Sequence, residues 1–334
     1  MKKRVLVGLG VMVLLAIGFA WLPGAQGQPK PLVIRLGVHS SIMGAADVIA
    51  LRQGYFKQEG LDVEARKFFL GKEGRDAMIA GAIDVNATAT TPFMIGLDKK
   101  IPYTAVAVNS YICAATHIVA LKQSDINSVA QLRGKKIGLP KGTITEYVFL
   151  TRVAPAAGLK ESDFGVANIP DPKDVTPSLV AKAVDMGSLG EPHTSIGEHA
   201  GILRVLEDYC KYDPLPFMLT VTNKAIQEKP DAVVAYLRGW VRAVKLLREE
   251  PAKAAAVYAE EQKSGGRDVE AAVIEKALRR MRWEPEITKE LEKYLVDQAK
   301  DLTTGAGEGR LKQVPDVAKA LNRDLLKKAT AAVR

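Results

Sequence analysis

The feature that most constrains this chain is an alternation of short apolar, strand-like runs with helically spaced stretches, carried through two successive blocks. In the first block the strand candidates are residues 31–38, 61–69, 83–87 and 103–108, with helical stretches at 45–56, 74–80 and 92–97. The second block places strands at 135–139, 164–169, 183–189 and 202–206, with helices at 142–157, 175–182 and 192–200. A strand can reach a parallel neighbour only through a crossover, usually a helix, so this alternation predicts α/β layers with largely parallel sheets. No internal repeat is evident. From residue 223 onward the pattern is nearly all helical. Val233, Leu237, Trp240, Val241, Val244 and Leu247 fall on one face of a helix over 231–247, bounded by Pro230 and Pro251. Ile287, Leu291, Tyr294, Leu295 and Leu302 repeat that spacing and predict a helix over 285–302. The aromatic residues on these faces read as core.

A chain of 334 residues exceeds one ordinary core and suggests two domains. The order of the blocks fits a discontinuous first lobe: residues 31–118, then a second lobe at 119–217, then a return over 218–334. The apolar segments 118–121 and 217–221 are the expected crossings, a two-strand hinge with a cleft beside it, where ligands commonly sit.

The N-terminus carries a second signal. Lys2, Lys3 and Arg4 precede the uncharged apolar run 5–22, and small residues flank Gln26. This is the layout of a secretory signal peptide, assigned to residues 1–27. The other reading is an uncleaved anchor, since the run is just long enough to span a bilayer. No cysteine follows it, which excludes a lipoprotein anchor. The three leader cations contribute to the formal net charge of +9, and the other basic residues are interleaved with acids. A nucleic-acid surface needs them clustered, so no nucleic-acid partner is expected. Cys113 and Cys210 could pair in an oxidising compartment, or be two buried thiols. Neither has a ligand-spaced companion, and no metal or cofactor is expected.

Several short runs then occur in a telling order: His39-Ser40-Ser41, Ala45-Ala46-Asp47, Gln53-Gly54-Tyr55-Phe56 and residues 59–64. Residues 78–85 and 132–138 follow, then Ala183-Val184-Asp185 with Gly190-Glu191-Pro192, Lys229-Pro230-Asp231 and Glu250-Pro251. Over residues 32–262 the chain resembles periplasmic solute-binding proteins of ABC transporters, of the nitrate/sulfonate/taurine and thiamine-precursor (pyrimidine) binding type. The resemblance implies the type II periplasmic-binding-protein fold, with two α/β lobes joined by a two-strand hinge and a helical C-terminal region. It also implies a periplasmic monomer that captures a small polar organic or anionic ligand by domain closure and docks on a membrane permease.

In such a cleft, contacts come from strand C-terminal loops and helix N-termini. The first candidates are Ser40 and Ser41, with His39 beside them read as structural. Thr88, Thr90 and Thr91 precede Pro92, with Thr91 the expected N-cap. Gly142, Thr143 and Thr145 form a strand-to-helix turn beside Lys141. It lacks a P-loop's terminal lysine and is not expected to cradle nucleotide. Glu191 and His193 follow, and Asn109 lies near the hinge. The hydroxyls and Lys141 suit a sulfonate, nitrate or carboxylate, whereas Glu191 either forms a hydrogen bond between the lobes, the favoured reading, or suits an amine-bearing heterocycle.

Two other functions compete. One is an exported ligand sensor or scaffold of the same fold. The other is an enzyme like those forming the thiamine pyrimidine, which use a clustered cysteine motif absent here. No G-x-S-x-G or H-E-x-x-H motif occurs either, and with four histidines acid–base chemistry has few carriers. The chain is read as a non-enzyme.

Overall fold

The computed structural model describes residues 32–68, 71–305 and 309–332. The apolar run 5–22, and with it the signal-peptide assignment, lies outside the described residues. The alternating blocks become two five-stranded sheets. The first contains β1 (Leu32–His39), β2 (Leu61–Phe68), β3 (Val85–Ala89), β4 (Tyr103–Tyr111) and β10 (Pro216–Thr222), in the order β2-β1-β3-β10-β4. The second contains β5 (Thr116–Leu121), β6 (Lys136–Leu139), β7 (Gly165–Asn168), β8 (Met186–Gly190) and β9 (Leu203–Asp208), in the order β7-β6-β8-β5-β9. β1 runs parallel to β2 and β3, as β6 does to β7 and β8. The fourth strand of each sheet, β10 or β5, is antiparallel to both neighbours.

The two sheets therefore match position for position, and the match extends into sequence. Residues 35–39 (Arg-Leu-Gly-Val-His) align with 136–140 (Lys-Ile-Gly-Leu-Pro), and 79–85 (Ile-Ala-Gly-Ala-Ile-Asp-Val) with 180–186 (Val-Ala-Lys-Ala-Val-Asp-Met). This corrects the expectation that no internal repeat exists. The shared element is a clasp. Asp84 N–H donates to Arg35 O (2.7 Å) and Asp84 Oδ2 accepts from Arg35 N–H (3.0 Å). Asp185 does the same with Lys136, at 2.8 and 2.9 Å. Each clasp pins the start of the third strand to the second. The turn before it is left-handed in both copies, at Gly81 (φ 67°) and Lys182 (φ 56°).

The chain passes between the sheets in residues 112–115 and 209–215, outside the strands. Residues 118–121 lie within β5 and 217–221 within β10. A disulfide joins Cys113 to Cys210, one in each passage.

The C-terminal region is helical. Pro230–Glu249 buries Val233, Leu237, Trp240, Val244 and Leu247, as its spacing requires. The expected helix 285–302 begins later, at Lys289–Thr304, where the Thr288 side chain accepts from Leu291 N–H (3.1 Å). The preceding residues are extended because they cover the edge strand β4. Val108 N–H donates to Pro285 O (2.9 Å), and Tyr111 pairs with Arg282. An uncovered strand edge would leave these groups open to pairing with another chain. Residues 142–157 are helical only in pieces: a turn of π-helix, Phe149–Val153, interrupts them.

Candidate functional site

β1, β3, β6 and β8 all end at one cleft, as parallel strands in matched sheets do when their C-terminal ends face each other. The cleft encloses about 890 Å³, open mouth included. His39, Ser41, Met43, Ala89, Pro92 and Phe217 line it from the first sheet. Pro140, Gly142, Thr143, Thr145, Ile169, Pro170, Ser188 and Glu191 line it from the second. Ile112, in the first passage between sheets, lies at its base. Most of the wall is apolar, with a few polar groups placed at strand ends.

Of the residues expected from the sequence, Ser41, Gly142, Thr143, Thr145 and Glu191 reach the cleft. Ser41 is tied inward: its N–H donates to His39 Nδ1 (3.2 Å) and its Oγ accepts from Met43 N–H (3.4 Å). Thr143 is the N-cap of Ile144–Val148. It donates to Pro140 O (2.8 Å) and accepts from Glu146 N–H (3.3 Å), so its proton is already used. Gly142 N–H donates to Glu146 Oε2 (2.8 Å), which closes the turn.

The others do not line the cleft. Ser40 is bound to β2 through Phe68 O (2.8 Å). Thr88, Thr90, Thr91 and Asn109 are buried behind the wall. The helix Thr90–Asp98 starts after Ala89, so Thr91 sits inside the first turn and is not the N-cap. Thr90 lies beside the Tyr294 hydroxyl, and Asn109 Nδ2 donates to Met43 O (2.9 Å). His193 opens the helix His193–His199 beside the cleft wall. Burial, aided by the Arg267 charge, lowers its ring to about 4.

Glu191 is committed to partners within the protein. It is buried, and its carboxylate accepts from Ser195 N–H (3.1 Å) and Ser195 Oγ (3.0 Å). Arg280, from just beyond the helix Ala271–Arg279, completes an ion pair at 2.5 Å. Its charge is thus answered within the protein, and it no longer argues for an amine. The polar cleft residues missed in the sequence include Thr116, Ser188 and His39. Ser188 carries no motif. His39 was read as structural, yet it lines the cleft, and burial holds its ring neutral with its titration lowered to about 4. Among the described residues no His/Cys/Asp/Glu group could hold a metal ion, and no helix is long and apolar enough to cross a membrane.

Known proteins place this architecture. The profile of the family described as NMT1/THI5 like matches residues 44–254, well over half of the chain. The chain belongs to the NMT1/THI5-like family. A putative aliphatic sulfonates-binding protein of Bacillus subtilis is 27% identical over 285 residues, covering 84% of this chain and 82% of that protein. The alkanesulfonate-binding protein SsuA of Xanthomonas axonopodis pv. citri, solved bound to MOPS, superposes with a TM-score of 0.75 at 20% identity, over 88% of this chain and 99% of that one. The periplasmic nitrate-binding protein NrtA of Synechocystis PCC 6803 superposes with a TM-score of 0.74 at 17% identity, over 92% and 90%. The present chain thus shares the two-sheet periplasmic-binding-protein fold of these solved structures.

Proposed function

We propose that this chain is the extracytoplasmic solute-binding protein of an ABC importer. It captures a small organic or anionic ligand between its lobes as a monomer, and delivers it to a membrane permease. The observation that carries this reading is the cleft between the two matched sheets, large enough for a small molecule and lined from both sides. A ligand touching both walls binds the closed arrangement better than the open one and shifts the equilibrium toward it. The sulfonate-binding relative supports the same assignment. A binding role without chemistry is supported by the cysteines: both sit in the disulfide, so neither offers a thiolate nucleophile.

Small-angle scattering with and without ligand tests the mechanism, using the molecule released from natively purified protein and identified by mass spectrometry. Compaction on adding it back is expected. No compaction with a ligand of confirmed affinity would remove domain closure, and turnover of that molecule would remove the non-enzyme reading.

A further inference from the structure

We propose that His39 and Ser188 form a donor pair, one from each sheet, by which the cleft selects a ligand with a hydrogen-bond-accepting head. This deepens the reading of the cleft as a ligand site and rests on it. The tautomer of His39 follows from its neighbour. Ser41 N–H points at Nδ1 (3.2 Å), and the Ser41 hydroxyl lies 2.9 Å from the same atom. A backbone N–H can only donate, so Nδ1 carries a lone pair and the single proton of the neutral ring sits on Nε2. The ring stands edge-on to Phe217, centroids 5.7 Å apart at 81°, which fixes its plane. With Nδ1 turned to Ser41, Nε2–H is the polar group His39 contributes to the cleft it lines.

Ser188 reaches the same conclusion from the other sheet. Its Oγ lies 2.9 Å from the Tyr209 hydroxyl. The pair has two protons, and one bond between them uses one. Tyr209 is fully buried, and its hydroxyl has no second hydrogen-bond partner among the described residues. A buried phenol proton left without an acceptor is costly, so Tyr209 donates and Ser188 accepts. The Ser188 proton is then left for the cleft. With Glu191 held by Ser195 and Arg280, the carboxylate that lines this end of the site is already answered within the protein. A sulfonate, carboxylate or carbonyl head answers both donors, and Met43, Pro92, Ile112 and Ile169 accept an apolar body.

The test is calorimetric titration of the full exported chain with four probes sharing one tail: hexanesulfonate, hexanoate, hexanamide and hexylamine. The same titration is run with the molecule released from natively purified protein. An acceptor-headed compound should bind and hexylamine should not. His39→Leu and Ser188→Ala should each weaken that binding roughly tenfold or more, the loss of one well-made hydrogen bond. His39→Gln, which keeps an N–H near Nε2, and Tyr209→Phe, which leaves the Ser188 proton in place, should retain it. Retention in these two variants also shows that the fold survives change at His39 and at Tyr209, the hydrogen-bond partner of Ser188. Equal affinity in His39→Leu and Ser188→Ala, or preference for the amine, overturns the donor pair and leaves the binding-protein reading intact. No probe binding and no molecule released overturns both.

Discussion

Arg280 reaches Glu191 (2.5 Å) and Glu198 (3.0 Å) at once, and so fastens the C-terminal helices to the helix His193–His199 beside the cleft. The Glu191 side chain has no solvent exposure and that of Arg280 has 24%. Removing the cation leaves a buried carboxylate with only Ser195 to hold it.

Arg280→Ala should therefore destabilise the protein by roughly 3 kcal/mol, the usual cost of stripping one partner from a buried pair. Glu191→Gln should cost less, because it leaves no buried charge unpaired. Urea denaturation of both variants checks the order. A smaller loss in Arg280→Ala than in Glu191→Gln would mean the pair is not what holds this loop.

The Cys113–Cys210 bond closes a loop of sequence separation 97 across both passages between the sheets. Opening a loop of this length returns roughly 5 kcal/mol of chain entropy to the unfolded state. Unfolding midpoints with and without reductant, and for Cys113→Ser with Cys210→Ser, should fall together. An unchanged midpoint in the double variant would show that packing alone holds the passages.

Acid should act through three imidazoles. Burial lowers His39, His117 and His193 to about 4 from 6.5. Between those values the unfolded chain binds protons that the folded one refuses. Their contribution to stability is thus full above pH 6.5, falls as pH drops to about 4, and is flat below. For the well-buried His39 and His117 the loss is on the order of 2–3 kcal/mol each. Asp47 works in the opposite sense. It is buried, accepts from the Tyr236 hydroxyl at 2.7 Å, and is raised from 3.8 to about 7, so its contribution is lost as pH rises through that window. Asp47→Asn should steepen the rise in melting temperature between pH 4 and 7 and stabilise the protein at pH 8. A melting curve parallel to the parent's at every pH would contradict the Asp47 assignment.

Lys182 occupies the left-handed turn that Gly81 fills in the first copy of the clasp. A side chain there costs about 1 kcal/mol. Lys182→Gly should recover part of this, less the extra freedom glycine brings to the unfolded chain, while Gly81→Ala should lose a comparable amount. Chemical denaturation of the two variants should show opposite signs.

The fold was legible because it rests on local periodicity: strand and helix spacing repeat within a few residues, and ten strands in two sheets follow from it. The late start of Lys289–Thr304 was hidden because its cause, the edge of β4, lies far away in sequence. The repeat was hidden because few identities survive. Asp84 and Asp185 become equivalent only when each is seen bonded to the backbone of the neighbouring strand. For the site, the strand-end turns were readable at Ser41 and Thr143. Which way a polar strand residue points was not, and so Thr88 and Asn109 turned out to face the core. Glu191 could be read either as a ligand group or as a contact between the lobes, because its partner Arg280 stands 89 residues away. Ser188 acquires its meaning from Tyr209, which belongs to another segment altogether.

The disulfide gives the second sheet an unusual covalent status. Everything from β5 to β9 hangs from the rest of the chain by two strands of backbone that are bonded to each other at the root. A protease cut anywhere inside that loop would leave both fragments attached, visible as a nick only after reduction. In topological terms the segment carrying the second sheet is a ring grafted onto the rest of the chain, so damage to its surface loops need not release it from the part that carries the C-terminal helices.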